Sequence, residues 1–300
     1  MDASACKSVR DYVLWAEHEF EGAGLFFGHG TDSALDEAAW LVSSALRFEP
    51  EHLDERLDDT PTPDQREAIK SLVDERVRTR KPLAYLLHEA WFAGHRFYVD
   101  ERVIVPRSLI GEYILDDFEP WIDRKRVRDV LDLCTGSGCI AIAVAHAFIE
   151  AQVDAVDISA DALSVAERNV REHDLVDRVH LIQSDLFSGI PGKQYDVIVS
   201  NPPYVPDASM EQLPAEYGHE PDISLRAAEQ GLAIIARILR GAAAHLKPGG
   251  ILMVETGESR EAVDQRWPRI PFTWLAHESG EETVFVLTRE ELAAAEAQPL

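Results

Sequence analysis

Apolar positions follow a helical period over the first eighty or so residues and a different one beyond them. Val9, Tyr12, Val13 and Phe20 fall on one helical face, and Ala34, Ala38, Leu41, Val42, Ala45 and Leu46 on another, with Asp32 or Ser33 placed to cap the second helix. Pro61 and Pro63 punctuate, after which Ile69, Leu72, Val73 and Val77 outline a third amphipathic helix. Residues 1–88 are therefore expected to form a small helical domain. From 90 to 106 strand formers take over: Trp91, Phe92, Phe97, Tyr98, Val99, Val103, Ile104 and Val105, broken at Ala93-Gly94-His95 and Asp100-Glu101-Arg102. This grammar predicts a β-hairpin linking two domains over 89–107. Over 108–300, short β-rich runs at 130–133, 152–157, 179–183, 195–200 and 250–255 alternate with helical patterns at 140–149, 160–172, 228–245 and 258–265. Alternation of this kind predicts an α/β domain whose parallel sheet is covered by helices on both faces. Two further runs, 272–277 and 283–288, read as a strand pair joined by the loop 278–282.

At 300 residues, 46% of them hydrophobic, the chain has enough apolar surface for two cores. Lys and Arg number 29 against 54 Asp and Glu, giving 29 − 54 = −25, so the surface repels duplex phosphate and attracts basic partners. DNA is thereby a poor partner. The exception is the third helix, where Arg66, Lys70, Arg76, Arg78, Arg80 and Lys81 make 66–81 basic. A solvated face is the first reading of that stretch, and contact with rRNA or an acidic protein is the second. Three cysteines, Cys6, Cys134 and Cys139, do not make a disulfide framework, and with eleven histidines scattered singly no metal site is expected. The first twenty residues lack the basic-then-apolar order of a signal peptide, and the longest apolar stretch, 140–149, is half of the ~20 residues a membrane span needs. The expected location is the cytoplasm, away from any membrane.

Candidate chemistry begins at the first βα unit, Val130-Leu131-Asp132-Leu133-Cys134-Thr135-Gly136-Ser137-Gly138-Cys139-Ile140-Ala141. Gly136 and Gly138 permit a tight turn and close approach of a ligand to backbone, ahead of a helix N-terminus with free N–H groups. Some twenty residues on, the next strand ends in Asp157, where a carboxylate can accept both hydroxyls of a ribose. Gly-x-Gly-x-x-Ala also fits a nicotinamide dinucleotide. Asp132 before the loop and Asp185 after the third strand shift the balance, because three acids at successive strand ends suit an amino-acid tail, a ribose and an adenine. S-adenosyl-L-methionine has those parts.

The fourth strand ends in Asn201-Pro202-Pro203-Tyr204. The two prolines force an extended exit and hold Asn201 at the strand's carboxyl end, where open α/β sheets bind ligands. The motif at this place resembles the signature of methyltransferases acting on an amide or base nitrogen, whose lone pair is delocalised, so that methylation requires acceptors that hold the N–H groups and localise that pair. The Asn201 oxygen and the Pro202 carbonyl can each accept one N–H, and Tyr204 can pack on the planar group.

Val105-Pro106-Arg107, the stretch 131–141, Asn201 to Val205, Glu220-Pro221 and Gly231-Leu232 together resemble the protein-glutamine methyltransferase family, from about residue 80 to the C-terminus. The resemblance implies a Rossmann-like class I S-adenosylmethionine-dependent methyltransferase domain with a small N-terminal helical domain for substrate recognition. It implies that Asp132, Thr135, Gly136, Ser137, Gly138, Asp157, Asp185, Leu186 and Asn201 hold the cofactor. It further implies that Asn201, Pro202, Pro203 and Tyr204 hold the glutamine, with Arg107 and Glu220 either shaping that site or forming a structural ion pair. Within the family, the segment 89–102, the segment 271–275 and the ending 284–288 are similar to the branch acting on the third protein of the large ribosomal subunit, a basic substrate met before or during assembly. The release-factor branch is the alternative, a DNA or RNA amino-methyltransferase a weaker one, and a noncatalytic assembly factor a rival of another class. Two departures from the family pattern bear on the substrate loops: Leu109 replaces a usual proline, and Ser224-Leu225-Arg226 replaces a segment richer in Gly and Ala.

Overall fold

Ser8 opens the first helix by a reciprocal cap: its hydroxyl accepts the N–H of Asp11 while the Asp11 carboxylate accepts the N–H of Ser8, and α1 runs Val9–Gly22. At the start of α2 (Ala34–Leu46) the Ser33 hydroxyl accepts the N–H of Asp36, and the helix ends where Arg47 turns left-handed. Thr62 and Gln65 form a second capping box for α3 (Pro63–Thr79), with Pro63 at the first helical position, where its missing N–H removes nothing. A short α4 follows (Leu83–Leu87). The chain is described by a computed structural model covering residues 3–277, 280 and 282–296. Its contacts divide it into two units, one comprising 1–90 with 214–219, the other 91–213 with 220–300. In the smaller unit Tyr12, Phe20, Leu41, Ile69 and Leu83 are fully buried.

Part of the basic stretch 66–81 is engaged by acids and carbonyls of its own unit. Arg76 is buried and gives its Nε to Glu37 at 2.6 Å, with Glu216 3.6 Å away. Arg80 holds Glu216 at 2.8 Å and the carbonyls of Ala23 and Gly24, and Arg66 donates to the carbonyl of Pro61. The exposed positions of α3 include Glu67, Asp74 and Glu75 beside Arg78, so its outer face is not the basic surface expected of 66–81. Spacing on a helix told which residues were charged, and tertiary partners decided which way they point.

The larger unit starts with a hairpin, β1 (Ala90–Phe92) and β2 (His95–Phe97). Val103 to Val105, expected as strand, runs irregularly because the Val105 N–H is taken by the Glu220 carboxylate at 3.0 Å instead of a ladder partner. After α5 (Ile110–Leu115) come β3 (Asp129–Leu133), α6 (Cys139–Ala147), β4 (Gln152–Asp157), α7 (Ala160–Glu172), β5 (Val179–Gln183) and β6 (Tyr195–Ser200). A small parallel pair, β7 (Val205–Pro206) and β8 (Arg226–Ala227), precedes α8 (Ala233–His245), β9 (Leu246–Glu255), α9 (Arg260–Arg266), β10 (Thr273–Leu275), β11 (Val284–Thr288) and α10 (Arg289–Glu296).

The main sheet has seven strands in the order β10-β11-β9-β6-β3-β4-β5. Five run parallel, and β11 and β10 add antiparallel at the β9 edge, so the sheet is mixed rather than wholly parallel. Alternate residues of β3 enter opposite cores: Val130 packs with Ile140, Val153 and Phe118, and Leu131 with Ile198, Ile235 and Leu252. Burial on both faces is why the strands read as continuous apolar runs. Of the loop 278–282, Glu278, Ser279 and Glu281 lie outside the described residues. No described helix is long and apolar enough to cross a membrane.

Candidate active site

The chain passes from β3 to β4 on one side and from β5 to β6 on the other, so the carboxyl ends of β3 and β6 flank the crevice where an open sheet accepts ligands. Leaving β3, Cys134 adopts a left-handed φ of 61°, and Gly136 and Gly138 follow at 55° and 82°. A side chain on Gly138 would put its Cβ 3.2 Å from that of Ala166 on α7, so this glycine lets two helices meet. Beneath the loop, Asp132 is fully buried. Its Oδ2 accepts from the Thr135 hydroxyl at 2.5 Å and the Ala141 N–H at 3.2 Å, and its Oδ1 meets no hydrogen-bond donor. Burial pushes this carboxyl up to about 7 against the pull of those two donors, and the charge of Asp157 adds to the rise. At the end of β4 the Asp157 carboxylate accepts the N–H groups of Gly136 and Ser159, both at 2.9 Å, and burial raises it as well.

A cleft of about 460 Å³ opens over these strand ends, and Gly136, Asp157, Asp185, Leu186, Asn201 and Pro203 line it. Six residues singled out from the sequence thus meet at one place. Thr135 and Ser137 are buried under it. Asp185 is engaged by Arg237 of α8 at 2.7 Å, and Arg237 also faces the cleft, a cation that no sequence motif announced.

Pro202 and Tyr204 do not line the cleft. Pro202 is buried, and the Tyr204 ring lies against Gly257, where an added Cβ would fall 2.2 Å from a ring carbon. The Tyr204 carbonyl accepts from the Ser259 hydroxyl at 3.0 Å, and its own hydroxyl lies 3.4 Å from Glu255 Oε1. Arg107 and Glu220 form a bidentate ion pair at 2.5 and 2.7 Å, with the Glu220 side chain buried, and neither residue lines the cleft. Two acids therefore fasten the segment from Val105 to Leu109: Glu220 at Val105, and Glu255, which accepts the Ser108 hydroxyl at 2.6 Å and the Leu109 N–H at 3.0 Å. A proline at 109 would lack that N–H, so Leu109 adds a hydrogen bond where the family pattern has none. Burial raises the Glu255 carboxyl above its ordinary range. Glu255 was missed because an acid closing an apolar strand carries no local signal beyond its position. Asn169 is similar: fully buried on α7, it accepts the N–H of Tyr98 and donates to the carbonyls of Tyr98 and Ser137, tying the glycine loop to the hairpin's exit.

The family model described as Methyltransferase small domain matches residues 118–215, and that described as PrmC N-terminal domain matches residues 12–87. A ribosomal protein uL3 glutamine methyltransferase of Neisseria meningitidis is 46% identical, over 98% of this chain and 97% of its own length. One from Bordetella pertussis is also 46% identical, over 95% of this chain and 96% of its own. Among solved structures, the hMettl16 catalytic domain bound to a MAT2A 3′UTR hairpin overlays with a TM-score of 0.51 at 15% identity, covering 84% of this chain and 90% of that one, a likeness of fold alone. The glycine loop thus serves a methyltransferase fold and not a nicotinamide enzyme, and over nearly its whole length the chain belongs to the family of ribosomal protein uL3 glutamine methyltransferases.

Proposed function

We propose that this enzyme transfers a methyl group from S-adenosyl-L-methionine to the side-chain amide nitrogen of a glutamine in ribosomal protein uL3. The observation that carries the proposal is the meeting of Asn201 and Pro203 with Gly136 and Asp157 on one cleft at the carboxyl edge of the sheet. A methyl donor and a planar amide have room to face each other there.

The residues fit such a donor. Asp132 offers a buried oxygen without a partner for an ammonium group, Gly136 leaves backbone open to a ligand, and the Asp157 carboxylate stands at the cleft wall for ribose hydroxyls. Asp185 and Leu186 suit the base. When bound, this group supplies a methyl carbon made electrophilic by a positively charged sulfur. The protein's part is to aim the nucleophile: the Asn201 side-chain oxygen and the Pro202 carbonyl, a backbone group between the cleft-lining Asn201 and Pro203, accept the two amide N–H bonds, drawing the nitrogen lone pair out of conjugation. As positive charge develops on the nitrogen, these acceptors hold it more strongly than they hold the neutral substrate, which is what lowers the barrier. The amide then loses one proton and is neutral again. Tyr204, tethered through Glu255 and Ser259, acts by fixing the loop rather than by touching the amide. The substrate is taken as the free basic protein before it is covered in the ribosome, which puts the reaction in the cytoplasm. Contact with rRNA through α3 is not part of the proposal, since Arg76 and Arg80 are consumed by Glu37 and Glu216.

The test is transfer of labelled methyl to unmethylated uL3, a release factor and DNA in parallel, with the labelled peptide mapped by mass spectrometry. Label on a uL3 glutamine is expected. Label on the release factor alone would keep the chemistry and overturn the substrate, label on DNA alone would overturn both, and binding of uL3 without label would favour a noncatalytic assembly role.

A further inference from the structure

Three histidines that lie far apart in the chain meet at one place away from the cleft. His95 stands on β2, His146 in the last turn of α6, and His173 is the residue that closes α7. One ring nitrogen from each lies within 4.8 Å of the other two, and all three side chains are half-buried, reachable from solvent. His146 Nε2 is 3.1 Å from His173 Nδ1, and the His146 ring stacks on His95 with centroids 4.3 Å apart.

We propose that His95, His146 and His173 form a binding site for a first-row divalent transition metal ion, zinc foremost, that fastens the hairpin to the ends of α6 and α7. Two observations carry this. The donor set is three imidazoles, the ligand type zinc shares with copper and nickel, with one ring nitrogen of each inside 4.8 Å of the other two. His173 Nε2 lies 2.8 Å from the Arg96 carbonyl, an arrangement in which Nε2–H donates and Nδ1 keeps its lone pair toward the other two rings. A backbone carbonyl holding the far nitrogen is how metal-binding imidazoles are usually oriented.

The consequence is mechanical. α6 begins at the glycine loop and α7 just after Asp157, so an ion at their opposite ends would stiffen the two helices that frame the cleft, in parallel with Asn169.

The full chain, stripped with chelator, is titrated with zinc in competition with a chromophoric chelator, and bound metal is counted by elemental analysis. One zinc per chain with submicromolar affinity is expected, together with a rise in Tm. His146→Gln and His173→Gln should each weaken binding at least about tenfold, and the pair should abolish it. Binding of S-adenosylhomocysteine by the zinc-free variants serves as the check on folding, and His95→Gln, on the hairpin, replaces any variant that fails it. Absence of zinc uptake at micromolar concentration, or uptake unchanged in the folded histidine variants, as binding by the three cysteines would produce, overturns the site.

Discussion

Asp132 carries one oxygen with two donors and one with none, in a position sealed from water. Its pKa, raised by burial to about 7 from an ordinary 3.8, means the folded protein holds a proton there that the unfolded chain does not. That contribution to stability is full below about pH 4 and is lost as pH rises through about 7. A ligand ammonium reverses the preference, because it favours the carboxylate, so cofactor binding below pH 7 should expel a proton. Affinity for S-adenosylhomocysteine is then expected to fall by up to about tenfold per unit of pH below 7, and calorimetry in buffers of different ionisation enthalpy should register the released proton. In Asp132→Asn both signals vanish; an unchanged pH slope would remove Asp132 from cofactor binding. Asn201 and Asp157 line the same cleft, yet their substitutions should separate. Asn201→Ala leaves cofactor affinity within a few-fold and lowers turnover by about a hundredfold or more, the loss of an acceptor aimed at developing charge. Asp157→Ala weakens cofactor binding by about tenfold to a hundredfold, the cost of a lost charged hydrogen-bond partner. Equilibrium binding and single-turnover rates on both variants decide it, and the opposite pattern would exchange the two roles.

At the scale of elements, the loop after β6 is held from behind. Gly257 has a φ of 49° and no room for a Cβ against the Tyr204 ring, so Gly257→Ala must shift that ring or unwind the turn after β9. We expect a loss of about 2 kcal/mol or more by denaturant unfolding, with turnover falling more than substrate affinity. Tyr204→Ala removes the obstacle, so the double variant should lose less than the sum of the singles; strict additivity would show that the ring and Gly257 do not compete. The segments on either side of this contact are where sequence and structure part. β3, β4 and β6 were legible because strands buried on both faces read as mostly apolar runs, the half-exposed edge strand β5 by Val179, Leu181 and Ile182, and Gly136, Asp157 and Asn201 because each follows or ends such a run. The start of α8 was not: periodicity carried it back to 228, but Arg226 and Ala227 pair with β7, and Glu229, Gln230 and Gly231 all turn to positive φ, so the helix begins at Ala233. β9 begins at Leu246, earlier than the expected 250, because Leu246 pairs with Tyr195 across an irregularity in register that no alternation pattern marks. Glu255 and the three histidines depend on partners far away in the chain, and spacing cannot display them, whereas Glu220 was marked by the Glu220-Pro221 motif.

For the whole molecule, the decisive quantity is how its charge is spent. Inside the smaller unit, Arg76 is fully buried beside Glu37 and Glu216, and removing it would leave the buried Glu37 without its cation, while Glu216 keeps Arg80 and the Phe26 N–H. Arg76→Ala should therefore cost about 3–5 kcal/mol. Burial alone would raise Glu216, but the Phe26 N–H and the Arg80 and Arg76 guanidiniums outweigh it and hold it below its ordinary 4.5. Its contribution is thus present above pH 4.5 and lost as the pH falls below, so the wild-type advantage over Arg76→Ala should shrink under acid. Outside, a net charge of −25 leaves a surface that draws basic chains from a distance. If uL3 is met as a free basic protein, kcat/KM for it should drop several-fold between about 50 and 300 mM salt, as screening shortens the reach of that field. A neutral glutamine peptide of the same local sequence should show little change in kcat/KM, because its capture depends on the cleft alone. The single-turnover rate should be insensitive to salt for both, since Asn201 and the Pro202 carbonyl act at contact distance. A salt response equal for peptide and protein would place the electrostatic effect in the cleft and leave the acidic exterior without a part in substrate capture.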